Sequence, residues 1–153
     1  MRNWSLLLAD DEDGFRDLLK QRLQRKGYTV RAVADGTAAL AALAEEEFDA
    51  ALFDLKMPGA DGITVLKRAR ELQPSLPVLI LTGHGSIETA IEAIRAGAYD
   101  YLTKPCNLTE LELILQKALE RKTLEVENQG LRAALRRHEG AFEIIGGSQA
   151  ITR

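Results

Sequence analysis

Short apolar runs alternate with longer amphipathic stretches along most of this chain. The apolar runs are four to six residues long, which is typical of strands buried on both faces. They predict five strands, at Ser5–Ala9, Tyr28–Val33, Ala50–Phe53, Pro77–Leu81 and Ala98–Leu102. The stretches between them have helical periodicity and predict helices around Phe15–Leu23, Thr37–Glu47, Ile63–Leu72, Ser86–Ala96 and from Asn107 onward. Because right-handed crossovers join such units, the pattern predicts an α/β fold with a five-stranded parallel, doubly wound sheet and helices on both faces.

Composition narrows the functional class. The 153 residues are 46% hydrophobic, and 23 acidic against 20 basic residues give a net charge of −3. No basic stretch dominates the sequence, so we expect no direct nucleic-acid contact from this chain. Cys106 is the only cysteine, which excludes an internal disulfide and a thiolate metal site. No apolar run approaches the roughly 20 residues that span a bilayer, and no signal peptide is evident, so we expect a soluble, cytoplasmic protein without membrane attachment.

Polar residues follow four of the five predicted strands. Asp10 and Asp11 follow the first strand, Asp54 the third, Thr82 the fourth and Lys104 the fifth. Each alone could be a helix cap, a turn former or a surface residue, but the carboxyl ends of parallel strands meet at one edge of the sheet. Three carboxylates gathered there are costly unless a cation intervenes, and Mg²⁺ suits such ligands. Carboxylates, a hydroxyl and an ammonium together predict a phosphate site with a carboxylate nucleophile.

Four segments carry a family resemblance, and they stand in order and at family spacing between about Leu6 and Leu119. They resemble the receiver domain of bacterial two-component response regulators, which implies a flavodoxin-like fold for a domain at residues 1–120. The segments are Leu8-Ala9-Asp10-Asp11-Glu12, Phe53-Asp54-Leu55-Lys56-Met57-Pro58-Gly59, Leu81-Thr82-Gly83-His84-Gly85 and Asp100-Tyr101-Leu102-Thr103-Lys104-Pro105.

The resemblance assigns roles in an acidic Mg²⁺ pocket. It implies that Asp54 is the phosphoacceptor, and that Asp11 and Asp54 bind Mg²⁺ directly with the backbone carbonyl of Lys56. Asp10 is expected to act through a metal-bound water. Glu12 is expected to point away from the pocket.

It also assigns the residues that handle the phosphoryl group. Thr82 and Lys104 are expected to hold phosphoryl oxygens, and Tyr101 to be the aromatic switch residue whose ring turns inward as the Thr82 hydroxyl moves. Lys56 and His84 are expected to tune dephosphorylation. The peptide bond after Lys104, which precedes a proline, is expected to be cis. One departure is Cys106, which replaces the usual Phe and is expected to pack rather than react.

The last predicted helix continues past the domain as a linker at residues 121–140. Leu124, Asn128, Leu131 and Leu135 have the 4-3-4 spacing of a coiled-coil seam, with Asn128 at an a position. This spacing predicts a short parallel homodimer through the linker helix; a frayed single helix is the alternative.

Residues 141–153 resemble the opening of the AAA+ ATPase domain of sigma-54-dependent transcription activators; a disordered tail is the alternative. The chain contains no GxxxxGK[ST] loop and no DNA-reading helix. The resemblance therefore implies a regulatory piece of a longer activator, with AAA+ and DNA-binding domains downstream.

The predicted function is to accept a phosphoryl group from a sensor histidine kinase on Asp54 and to control assembly of the attached activator. A stand-alone receiver acting by protein–protein contacts is the alternative. An Asp-nucleophile phosphatase needs a second aspartate where Lys56 stands, so we expect no enzyme beyond self-phosphorylation and self-dephosphorylation. A flavin module needs a Ser-, Thr- and Gly-rich loop after the first strand, where this chain has Asp10–Asp13.

Overall fold

The computed structural model describes residues 3–83 and 85–124. Its strands are β1 (Ser5–Ala9), β2 (Thr29–Val33), β3 (Ala50–Asp54), β4 (Val78–Thr82) and β5 (Asp100–Thr103). Its helices are α1 (Asp13–Arg25), α2 (Gly36–Glu45), α3 (Gly62–Leu72), α4 (Ile87–Arg95) and α5, which is helical from 108 to 124. All five strands pair in parallel, which confirms the predicted fold class.

The predicted start of β5 is wrong by two residues. The Ala98 backbone N–H bonds to the carbonyl of Ala93, so Ala98 still belongs to the end of α4. Gly97 turns the chain there with φ of +106°, a conformation that glycine adopts without strain. The strand therefore begins only at Asp100.

The strand order is β2-β1-β3-β4-β5. The chain runs outward from β1 in one direction and from β3 in the other, so the order reverses between these two neighbours. At such a switch point the connecting loops leave to opposite sides and open a crevice at the carboxyl ends of the strands. The topology thus places a binding crevice beside the ends of β1 and β3.

Successive residues of the central strands face opposite layers of the core, as the pleat requires. On one side, residues such as Leu7, Phe53 and Ile80 pack with α2, α3 and α4. On the other, residues such as Leu8 and Leu52 pack with α1 and α5. Both faces are covered, and β1, β3 and β4 are accordingly nearly all apolar, with polar residues only at their ends: Ser5, Asp54 and Thr82.

Met1–Lys122 forms one compact unit, and Thr123–Arg153 forms a second. The predicted seam falls mostly outside the described residues: Leu124 is helical and exposed, whereas Asn128, Leu131 and Leu135 are not described. The domain boundaries at 120 and 140 stay predictions. Among the helices of residues 3–83 and 85–124, none combines the length and apolar character needed to cross a bilayer.

Candidate functional site

The carboxyl ends of four strands meet around a group of three aspartates. Asp10 and Asp11 follow β1, and Asp54 is the last residue of β3. One carboxylate oxygen from each lies within 4.8 Å of the other two. Asp10 and Asp54 are buried, whereas Asp11 is exposed. The predicted acidic convergence is therefore present in the fold.

Asp10 is held by its neighbours. Its Oδ1 accepts a hydrogen bond from the backbone N–H of Glu12 at 2.9 Å, and its Oδ2 accepts one from Lys104 Nζ at 2.7 Å. The Arg16 side chain also donates to the Asp10 backbone carbonyl at 2.8 Å. With both carboxylate oxygens engaged, Asp10 is less available than Asp11 as a direct ligand.

Lys104 extends from the end of β5 into the acidic group. Besides Asp10, its Nζ lies 3.2 Å from Glu12 Oε1 and 3.7 Å from Asp54 Oδ2, and it sits 4.3 Å from the centre of the Phe15 ring. Burial alone would lower the pKa of Lys104, but Asp10, with Asp54 and Glu12, raises it above its ordinary value. Lys104 is therefore a firmly charged cation beside Asp54.

The expectation that Glu12 points away from the pocket is wrong. Its carboxylate turns toward Lys104 and lies in the wall of the same cavity. The physical reason is that the Lys104 ammonium has a donor to spare after bonding Asp10, and Glu12 is the acid within its reach.

Asp54 has a raised pKa and one carboxylate oxygen without a hydrogen-bond partner among the described residues. Burial, then the charge of Asp10, and to a smaller extent the charge of Asp11 raise the pKa of Asp54. The charge of Lys104 and a hydrogen bond from the Lys56 backbone N–H lower it, and the resulting pKa is about 6. The buried Oδ1 of Asp54 has no hydrogen-bond partner among the described residues. Such an oxygen costs free energy unless something binds it, so this position is prepared for a ligand.

The three aspartates fit a hard divalent cation. Two buried carboxylates and an exposed one, with an unbonded oxygen on Asp54, offer the oxygen donors that Mg²⁺ prefers while leaving room for water and phosphate oxygens. The acidic cluster thus supports the Mg²⁺ site expected of this pocket.

An open cavity of about 760 Å³ lies directly above this group. Its lining includes Asp11, Glu12, Phe15, Leu18, Asp54, Gly83, Lys104, Pro105, Cys106 and Leu108. The Lys104–Pro105 peptide bond is cis, as predicted. Cys106 is half-buried and packs against the core layer beneath α1 and α5.

Of the predicted residues Thr82, Lys56 and His84, the structure describes the first two. Thr82 ends β4 and is fully buried. Lys56 follows two residues after Asp54 with an exposed side chain, and His84 lies outside the described residues. These placements leave their roles as predictions.

Tyr101 is half-buried and bonded to α4. Its hydroxyl lies 2.9 Å from Thr89 Oγ1, and Thr89 with Ser86 forms the capping box of that helix. The ring also passes close to Gly85, where any Cβ would collide with the Tyr101 hydroxyl. The aromatic side chain of β5 is therefore tied to the start of α4.

Sequence reasoning missed Glu12, Phe15 and Thr89. Phe15 was explained by helical periodicity alone, since an apolar residue at that spacing predicts core packing rather than a contact with an ammonium. Thr89 carried a signal that could have been used: Ser86-x-x-Thr89 has the spacing of a capping box.

The comparisons with known proteins identify the family of this chain. Residues 6–116 match the response regulator receiver domain family. The chain is 35% identical over 149 residues to the C4-dicarboxylate transport transcriptional regulatory protein DctD of Rhizobium meliloti, a match that covers 97% of this chain and 32% of DctD. It is 38% identical over 130 residues to the regulatory protein AtoC of Escherichia coli, covering 85% of this chain and 28% of AtoC.

Solved structures show the same fold. A CheY-like response regulator receiver domain protein from Methanospirillum hungatei superposes with a TM-score of 0.79 at 32% identity, covering 81% of this chain and 99% of that one. NtrX from Brucella abortus gives a TM-score of 0.79 at 37% identity, covering 86% of this chain and 30% of that one. The chain thus spans about a third of the length of the curated relatives named above. With its fold, its acidic site and its matched residues in agreement, the chain belongs to the response regulator receiver domain family.

Proposed function

We propose that this chain takes a phosphoryl group from a sensor histidine kinase onto Asp54, with Mg²⁺, and that it thereby controls a longer sigma-54-dependent transcription activator. The observation that carries the proposal is Asp54 itself. It is a buried carboxylate with one unbonded oxygen, it opens onto a cavity, and it lies between two aspartates and an ammonium.

The chemistry follows from these neighbours. A carboxylate oxygen of Asp54 attacks the phosphorus of a phosphohistidine. The O–P bond forms as the P–N bond breaks, and the electron pair stays on the histidine nitrogen, which gains a proton from solvent. Lys104 and Thr82 compensate the charge of the transferred oxygens. Asp11, Asp54 and the Lys56 carbonyl would hold Mg²⁺, with Asp10 contributing through a water, and the bound ion would supply positive charge against the phosphoryl oxygens.

The chain catalyses only its own phosphorylation and dephosphorylation. Hydrolysis of the phosphoaspartate by water returns the receiver to its starting state, so phosphorylation is a timed signal rather than a turnover reaction. Lys56 and His84 set its lifetime: exchanging either residue should change the dephosphorylation rate and leave Mg²⁺ affinity nearly unchanged. An unaltered rate in the double variant would remove both from the mechanism.

The attached activator is inferred from the relatives. DctD is named as a transcriptional regulatory protein and is about three times as long as this chain. Its alignment covers 97% of this chain, including residues beyond the compact unit Met1–Lys122. This favours a regulator with AAA+ and DNA-binding domains downstream over a stand-alone receiver. We place it in the cytoplasm, where its kinase and its gene targets would be reached.

The output is a homodimer through the linker helix, with the seam Leu124, Asn128, Leu131 and Leu135. The coil is short, so phosphorylation can shift its association by about 1–3 kcal/mol, the usual scale of allosteric coupling. Truncation after Leu119 should give a monomer when unphosphorylated, measured by analytical ultracentrifugation. A truncated chain that associates as strongly as the whole would rule out the seam.

Incubation with acetyl phosphate and Mg²⁺ tests the phosphoacceptor. The intact mass should rise by one phosphoryl group that is labile in base, and Asp54→Asn should abolish the gain. Asp17→Asn, an exposed aspartate of α1, is the matched control and should be labelled like wild type. Full labelling of the Asp54 variant would refute the assignment.

A further inference from the structure

Lys104 is bonded away from Asp54. An ammonium has three N–H donors, and two of them are engaged by Asp10 at 2.7 Å and Glu12 at 3.2 Å. The separation of 3.7 Å from Asp54 Oδ2 exceeds hydrogen-bond distance. The ring of Phe15, from α1, adds a cation–π contact on the same side. Three groups between the end of β1 and the first turn of α1, Asp10, Glu12 and Phe15, thus compete with Asp54 for one cation.

The two carboxylates, Asp10 and Glu12, differ in how firmly they hold Lys104. The Asp10 side chain is 2% exposed and is itself fixed by the Glu12 backbone N–H. The Glu12 side chain is 63% exposed, so water screens its ion pair and either partner can leave at little cost. Among the contacts that hold Lys104, the one with Glu12 is therefore the easiest to break.

We propose that Glu12 is a positioning residue that holds the Lys104 ammonium on the α1 side of the cavity and so sets how readily Lys104 reaches a phosphoryl group at Asp54. The inference rests on the proposed function, since Lys104 has a phosphoryl oxygen to reach only if Asp54 accepts one. An incoming phosphoryl group brings more negative charge than a carboxylate, and it draws Lys104 from Glu12 first.

The Glu12 side chain can be changed without removing a hydrogen bond that holds the fold. Glu12 is the N-cap of α1, but its side chain makes no capping hydrogen bond. Its carboxylate contacts Lys104, and its backbone carbonyl and N–H bond Arg16 and Asp10. A side-chain substitution therefore removes the contact with Lys104 while the backbone bonds of the turn remain.

The test compares Glu12→Gln with Asp13→Asn. Both remove one negative charge at the start of α1, but Asp13 is 81% exposed and pairs with Arg16 rather than Lys104. With acetyl phosphate and Mg²⁺, Glu12→Gln should speed phosphorylation of Asp54 about two- to fivefold, the range that an exposed ion pair allows. Asp13→Asn should leave the rate unchanged. Equal acceleration in both variants would mean that overall charge, and not Lys104, is responsible, and would overturn the inference.

Two further measurements show whether Glu12 acts through Lys104. In a Lys104→Met background, Glu12→Gln should no longer change the rate; a persisting two- to fivefold gain would overturn the inference. In the unphosphorylated protein, the NMR signal of the Lys104 ε-methylene should shift in Glu12→Gln and stay in place in Asp13→Asn. An unmoved signal in Glu12→Gln would also overturn it.

Phosphorylation of the wild-type chain distinguishes the proposed function of Asp54 from the positioning role of Glu12. A wild-type chain that takes up no phosphoryl group on Asp54 would overturn the proposed function. A wild-type chain that is phosphorylated there, with Glu12→Gln no faster than wild type, would overturn the positioning role alone.

Discussion

Two aspartates flank the same strand and have opposite surroundings. Asp49 precedes β3 and Asp54 ends it. Asp49 Oδ2 accepts the Ser5 backbone N–H at 2.7 Å, and its Oδ1 lies 3.4 Å from Lys122 Nζ, which also donates to the Phe48 carbonyl at 2.9 Å. Asp54 keeps a buried oxygen without a partner among the described residues, and its nearest cation is occupied by other acids.

The contrast between Asp49 and Asp54 separates a structural charge from a reactive one. At the amino end of the sheet the carboxylate, the ammonium and the backbone groups satisfy one another, so the charges join β1, β3 and α5. At the carboxyl end the acids outnumber their cationic partners, and burial first, then the charge of Asp10, raises the pKa of Asp54. Binding capacity lies where pairing is incomplete.

The largest expected effect separates these two ends by metal affinity. Asp11→Asn should weaken Mg²⁺ binding by more than about tenfold, because it removes the exposed carboxylate of the cluster. Asp49→Asn should leave the affinity unchanged. Titration followed by Trp4 fluorescence, or by calorimetry, measures both, and Glu12→Ala should change the affinity far less than the Asp11 substitution does. Equal losses for Asp11 and Glu12 would show that the metal site is wrongly placed.

The next prediction concerns stability: removing the charge of Asp54 should stabilise the fold. Without Mg²⁺ at pH 7.5, Asp54→Asn should raise the free energy of unfolding by about 1–3 kcal/mol, because the ionised Asp54 is unfavourable in the fold.

The pH dependence follows from the raised pKa. Folding lifts the pKa of Asp54 from 3.8 to about 6, so the native state binds more protons than the unfolded chain between these values. The stability gained from the protonated form is fully present below about pH 4 and is lost as the pH rises through 6. The advantage of Asp54→Asn should therefore close between pH 6 and 4 in urea unfolding. An advantage that stays constant with pH would contradict the raised pKa.

At the opposite end the same substitution should destabilise. Asp49→Asn should lower the free energy of unfolding by about 1 kcal/mol, because Lys122 loses its charged partner in a partly buried setting. Phosphorylation of Asp54 should proceed at the wild-type rate. Stabilisation by Asp49→Asn would erase the contrast between the two ends of β3.

The smallest expected effect tests a paired polar group at the reactive end. Tyr101→Phe removes a half-buried hydroxyl bonded to Thr89, and we expect it to cost about 0.5–1 kcal/mol in thermal unfolding. Thr89→Val removes the same bond and also the α4 capping box, so it should cost more. If Tyr101→Phe stabilises the protein, the hydroxyl is strained rather than satisfied.

The sequence predicts the sheet and the acidic convergence because both depend on backbone rules. The short apolar runs identify the strands. Because the strands are parallel, Asp11, Asp54 and Lys104 lie at one edge of the sheet. The same residue type elsewhere has another role: Asp35 and Asp61 cap α2 and α3, accepting backbone N–H bonds at 2.7 and 2.8 Å. They stand directly before a helix, whereas Asp54 is the last residue of a buried strand.

What the sequence does not predict is side-chain direction. Glu12 could have turned outward, since a helix N-cap permits several rotamers, and its direction depends on where Lys104 arrives from 92 residues away. The start of β5 was misjudged for a related reason, because Ala98 is held by the end of α4 rather than by its own β-propensity.

The order of strands has a consequence for synthesis of the chain. Asp10 and Lys104 are bonded across 94 residues, and Asp54 stands between them in sequence. Because these residues stand at the ends of the first, third and fifth strands, no segment shorter than residues 10–104 contains all three. A nascent chain that has not yet extended past residue 104 carries the acids without the ammonium that Asp10 and Glu12 share. The chemistry of this protein is thus a property of the completed sheet.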